Sequence, residues 1–216
     1  MMLLYALVPS DATAPDVPGL AGRPLEIIRA AAAAVIVEEC PDRLSATNHE
    51  AGTFAEIVCN LAESASVLPV RFPTVLTTRS AVLAELQAHE RVWGQRLRDL
   101  SGLSEVVIRA QWADAEPDSP SSASGTSYLL SRAAAMQQRE ASVAEISGLI
   151  RDWAREIKVL RSQQGIRLAC LVAGTDIPPL ERAILRWQEA ADRRQAVVSG
   201  PWPPFSFAVD QEAVHA

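Results

Sequence analysis

The sequence predicts an α+β protein: an N-terminal ferredoxin-like sandwich over residues 1–113, a linker over 114–126, and a C-terminal α+β domain over 127–216 with a long helix and a proline-rich closing segment. Three observations lead there. Short apolar runs rich in β-branched residues alternate with amphipathic stretches through the first part of the chain. Residues 114–126, DAEPDSPSSASGT, lack apolar periodicity and are crowded with Pro, Ser and Asp, the make-up of a linker. Beyond them, apolar residues recur in steps of three and four from Leu129 to Trp153.

Taken in order, residues 3–8 are an apolar run ended by Pro9, and residues 10–24, with Pro15, Pro18, Gly19 and Gly22, form a loop. Residues 25–40 read as two strands joined near Ala30 to Ala32, because Ile27, Ile28, Val35, Ile36 and Val37 outweigh the alanines between them. Thr47 and Glu50 stand at capping-box spacing ahead of Phe54, Ile57, Val58 and Leu61, which share one helix face. Residues 66–76 are strand-like but carry Pro69 and Pro73, which cannot donate to a ladder, so this strand belongs at an edge or a bulge. Leu83, Leu86, Trp93, Leu97 and Leu100 mark a second helix ended by Gly102, and Val106, Val107 and Ile108 a further strand. With right-handed crossovers, this order suggests the ferredoxin-like sandwich, closed by the strand at residues 105–112.

After the linker, Leu129, Ala133, Met136, Val143, Ile146, Ile150 and Trp153 form the seam of a long helix. Residues 157–160 and 166–172 flank Gln163-Gln164-Gly165 as a hairpin. A last helix, with Leu180, Ala183, Ile184, Trp187 and Ala191 on its apolar face, starts after Asp176 and the Pro178-Pro179 pair. Residues 196–207 close the chain as a strand broken by prolines.

The chain has 216 residues, 49% of them hydrophobic and 21% charged, the balance of a globular protein with a buried core. Its net charge is −6 and its arginines form no basic stripe, which excludes nucleic acid as a partner. No positive charge precedes the opening apolar run, whose first basic successor is Arg23, so the run reads as a strand and not a signal peptide. No stretch of about 18 apolar residues is present, and no membrane partner is expected. Cys40, Cys59 and Cys170 make no C-x-x-C pair and read as free core thiols of a cytoplasmic protein.

Residues in patterns that carry chemistry are few. His49, His89 and His215 are too scattered for a zinc site, and neither His-Glu pair has a second histidine four residues on. There is no nucleophile elbow, phosphate loop or dinucleotide fingerprint. Glu38-Glu39 and the linker acids are read as solvated. No catalytic residue, metal ligand or cofactor is assigned, and the chain is read as a non-enzyme.

Three segments stand out instead. In Val67-Leu68-Pro69-Val70-Arg71-Phe72-Pro73, one cation lies among apolar neighbours; it either ties this strand to a neighbouring element through a carboxylate or marks an edge where a partner binds. At Tyr128-Leu129 a linker becomes a helix. In Gly200-Pro201-Trp202-Pro203-Pro204-Phe205-Ser206-Phe207, prolines stiffen a segment whose aromatic rings, Trp202 above all, are expected to pack inside the molecule.

These segments, with the opening strand Leu4-Tyr5-Ala6-Leu7-Val8 and the helix start His49-Glu50, resemble the gas vesicle protein GvpF/GvpL family over nearly the whole chain. The resemblance implies a ferredoxin-like N-terminal module, a C-terminal α+β module and an accessory role in gas vesicle assembly. It implies the vesicle shell protein and other accessory vesicle proteins as partners, a place in the cytoplasm at the vesicle, and no catalysis or cofactor. Pro69, Arg71, Phe72, Tyr128, Leu129, Gly200, Pro201, Trp202, Pro203 and Pro204 carry the motif as structural or partner-binding positions. The helix entry departs from the pattern with Ser131-Arg132-Ala133 where paired basic residues are usual. The competing reading is a small-molecule-binding regulatory protein built on a ferredoxin-like module, with an enzyme as a third.

Overall fold

A central strand that is apolar at every position must be covered on both faces, and the first sheet is built around one. The computed structural model describes residues 1–40, 46–112, 125–162, 165–191 and 194–208, without the side chains of 112, 125–135 and 138. Its class is α+β, with four helices and two four-stranded antiparallel sheets among the described residues. The chain forms two compact units, Met1–Gly102 joined by the segment from Trp202, and Leu103–Pro201.

In the first unit, β1 (Met2–Val8), β2 (Glu26–Arg29), β3 (Ala34–Glu39) and β4 (Leu68–Leu76) lie in the order β2-β3-β1-β4. All seven residues of β1 are buried. Helix α1 (Asn48–Ala62) brings Phe54, Ile57, Val58 and Leu61 against Leu3, Tyr5, Ala6, Val8 and Ile36. Each such side chain contributes roughly 1.5–3 kcal/mol when fully buried. Helix α2 (Arg79–Asp99) brings Val82, Leu86 and Trp93 to the alternate positions Leu4, Leu7, Val35 and Val70. The two helices therefore cover opposite faces, whereas a ferredoxin-like layout puts both on one. The capping box forms as expected, with Glu50 N–H donating to Thr47 Oγ1 at 3.2 Å and Thr47 N–H to Glu50 Oε2 at 2.8 Å. Strand β4 is both an edge and bulged, as its prolines require.

The second unit holds β5 (Leu103–Trp112), α3 (Gly125–Ile150), β6 (Ala154–Leu160), β7 (Ile166–Ala173), α4 (Ile177–Glu189) and β8 (Arg194–Trp202), the last running into the first unit. Its sheet order is β6-β7-β5-β8. One expectation is corrected here. The strand at 105–112 does not close the first sheet, whose four places are already filled by β1 to β4. It pairs with β7 instead, and Val106, Ile108 and Ala110 complete a core with Ile146, Ile150, Leu168, Leu180, Ile184 and Trp187. The units accordingly divide after Gly102, one strand earlier than the composition break suggests. The expected linker falls between β5 and α3, and residues 114–124 of it lie outside the described residues. The β6–β7 hairpin matches expectation, and α4 follows Asp176 as N-cap but takes Pro178 and Pro179 into its first turn instead of starting after them.

Candidate partner-binding surface

Tyr5 sits where the β1–β3 register slips, between the pairs Leu4↔Val37 and Ala6↔Ile36. The slip makes Tyr5 a bulge residue and turns it to the same face as Leu3 and Ala6. Its hydroxyl donates to Glu38 Oε2 at 2.7 Å and accepts from Leu20 N–H at 2.8 Å. Glu38 Oε1 accepts from the N–H groups of Ala21 and Arg23 at 2.9 and 3.0 Å. The loop before β2 is thus latched to the sheet through one carboxyl group. Gly19 is required for it, since a Cβ there would lie 2.3 Å from the Glu38 carboxyl carbon. The expectation that Glu38 is solvated is overturned, because the side chain is fully buried and hydrogen-bonded. Burial pushes the Tyr5 phenol far above its ordinary range, the Leu20 N–H opposes this, and Glu38 adds to the rise.

The bulge in β4 lies opposite. Between the pairs Leu4↔Thr74 and Ala6↔Pro69 the edge strand holds extra residues, Val70 to Pro73, and Thr74 Oγ1 closes the excursion by donating to Arg71 C=O at 2.6 Å. Phe72 turns inward, its ring 4.9 Å from that of Phe54, which stacks in turn on Tyr5 at 5.0 Å. Pro69 is buried and Arg71 is exposed. Among the described residues no carboxylate pairs with Arg71, so of the two readings offered for it the tie to a neighbouring element is not the one observed.

The closing segment packs against this same strand. Pro203 and Pro204 are buried, Phe207 is 3% exposed, and Phe205 joins the core of Phe54, Tyr5 and Phe72. The turn Phe205–Phe207 lies in contact with β4. Trp202, expected to be the buried anchor, is 45% exposed. The reason is local: with Pro203 and Pro204 turned into the core, the preceding ring is left outward at the end of β8. Gly200 has φ 132°, a conformation natural to glycine, and Pro201 is exposed; both belong to the second unit. Tyr128 and Leu129 lie within α3, and their side chains are outside the described residues. The first unit therefore unites Pro69, Arg71, Phe72, Trp202, Pro203 and Pro204, and leaves the others in the second.

The family model described as "Gas vesicle synthesis protein GvpL/GvpF" matches residues 1–209. The chain belongs to the GvpL/GvpF family. Gas vesicle protein F of Streptomyces sp. (strain CB03234) is 28% identical over 210 residues, covering 86% of this chain and 88% of that one. The crystal structure of GvpF from Anabaena sp. PCC7120 shares the fold with a TM-score of 0.78 at 15% identity, over 97% of this chain and 96% of that one. GvpF from Microcystis aeruginosa gives 0.77 at 15% identity, over 96% and 98%.

Elsewhere this GvpL/GvpF chain offers no assembled reactive centre among its described residues. No group of three metal-ligating side chains forms there. His49 is exposed, and His89 stacks on Trp93 at 5.0 Å along α2. Cys40 and Cys170 are buried and Cys59 half-buried. Burial pushes all three thiols up, Cys170 to about 12 with help from Glu105, which opposes formation of a nucleophilic thiolate. The residue that sequence reasoning does not reach is Glu38. The signal for Glu38 was a tyrosine on the opening strand, an acid near the end of the paired strand, and a glycine in the loop between.

Proposed function

We propose that this chain is a non-catalytic adaptor that binds the gas vesicle shell protein, and other accessory vesicle proteins, during vesicle assembly in the cytoplasm. The observation that supports the reading is the contact between β4 and the closing segment, which buries Pro69, Pro203, Pro204 and Phe207 while leaving Arg71 and Trp202 outward. An exposed tryptophan and a free guanidinium on a rigid frame are the residue types that dominate partner binding. A shell subunit must be strongly apolar on its gas-facing side and aggregates if left uncovered, so an adaptor that occupies part of it has a physical task. Among the described residues no helix is long and apolar enough to cross a membrane.

Co-expression with the shell protein and affinity recovery tests this. The shell protein is expected to be recovered with the chain, and recovery no greater than with an unrelated acidic protein overturns the proposal.

A further inference from the structure

One end of the second sheet gathers three arginines, with no carboxylate among the described residues that line it. Arg109 on β5 and Arg167 on β7 face each other directly in the antiparallel register, so their side chains leave the same face. With Arg161, just past β6, they line an open concavity of about 600 Å3 that also presents Gln111 and Gln195. Like charges directly opposite across a ladder are destabilising. The cost is not relieved locally, because the Nε of Arg167 is shut off from solvent without a hydrogen-bond partner. The described acids of this face, Glu105 and Glu156, lie level with Leu171, four residues along the ladder from the Arg109–Arg167 pair and roughly 13 Å distant. In a chain of net charge −6, such a concentration of unpaired guanidinium is held at a cost that a bound anion would remove.

We propose that this concavity binds a di- or triphosphate group. Three guanidiniums call for several oxygens and more than one negative charge, which a lone carboxylate does not supply, and the planar arginine fork matches phosphate oxygens in pairs. Among the described residues no aromatic side chain lines the concavity to stack a base. The phosphate chain itself is therefore what is recognised. The inference is independent of shell-protein binding, and its test does not involve that protein.

Calorimetric titration of the full chain with sodium triphosphate, pyrophosphate and ATP, without divalent cation, provides the test. Saturable binding tighter than about 1 mM is expected for triphosphate. The double variant Arg109→Gln with Arg161→Gln is expected to lose at least ten-fold in affinity, and Arg71→Gln in the first unit none. Equal affinity for triphosphate and ATP supports the phosphate chain as the whole ligand. ATP more than ten-fold tighter, still lost in the double variant, supports the site and assigns it to nucleotides. Arg109→Gln alone should raise the anion-free melting temperature by about 1–3 °C, which separates relief of charge repulsion from damage to the fold. No saturation for any of the three, or binding unchanged in the double variant, overturns the proposal.

Discussion

In the first sheet a buried carboxyl group is hydrogen-bonded at both oxygens, by Tyr5, Ala21 and Arg23. In the second a half-buried guanidinium, that of Arg167, keeps a shielded Nε with no partner and another arginine directly opposite. Both place polar groups where water is scarce, yet only one is satisfied. A satisfied buried group specifies structure, since removing any member strands the rest, whereas an unsatisfied one marks a place that a ligand completes. The contrast separates what holds this fold together from what the molecule offers to others.

The largest effect expected from breaking that contrast is at the latch. Glu38→Ala leaves the Tyr5 hydroxyl and the Ala21 and Arg23 N–H groups without their acceptor, and should cost about 3–5 kcal/mol. Urea unfolding measures it. A loss below about 1 kcal/mol would mean that water replaces the carboxyl group and that the loop before β2 is held by other contacts.

Tyr5→Phe is the milder probe. It removes one donor and one acceptor while keeping the stacked ring, for about 1–3 kcal/mol. It also carries a pH signature. Burial raises the folded-state phenol above its ordinary 10.0, so its contribution is fully present below pH 10 and is lost as pH rises past that value. Cys170 acts in the same direction, from 9.0 towards about 12. The denaturation midpoint of the parent should fall with rising pH above about 9, and that of Tyr5→Phe less steeply. Parallel slopes would show that the phenol ionises without cost to the fold.

Much of the first unit is legible in the sequence because local rules decide it. Thr47 and Glu50 cap α1 as their spacing demands, and Pro69 and Pro73 put β4 at an edge with a bulge. Glu38 is not legible by the same means. Period-2 alternation distinguishes it from its neighbour Glu39, but only the pairing of β3 with β1, set by contacts far apart in sequence, reveals that Tyr5 meets it. Strand β5 joins the second sheet, against expectation, for a related reason. The polar stretch after it looks like a boundary, while the choice between two sheets rests on Val106, Ile108 and Ala110 fitting the core of α3 and α4. Trp202 fails differently: size and apolarity argue for burial of any tryptophan, and the local backbone at Pro203 and Pro204 overrides them.

The smallest change in stability is expected at Trp202, and it sharpens the distinction between holding and offering. Phe207 is 3% exposed and Trp202 is 45% exposed, although only four residues lie between them in one segment. Phe207→Ala should cost about 3–5 kcal/mol by opening a cavity beside the β4 contact, because buried aromatic truncations lie in that range. Trp202→Ala removes a ring already half in water and should cost less than about 1 kcal/mol. If the ring belongs to the partner surface, the same variant should lose most of its recovery of the shell protein while unfolding at nearly the parent's denaturant concentration. A stable Trp202→Ala that recovers the shell protein undiminished removes Trp202 from the binding surface and leaves Arg71 to carry the first unit's claim. A drop of several kcal/mol would instead show the tryptophan acting as an anchor in solution, with Pro203 and Pro204 insufficient to hold the segment alone.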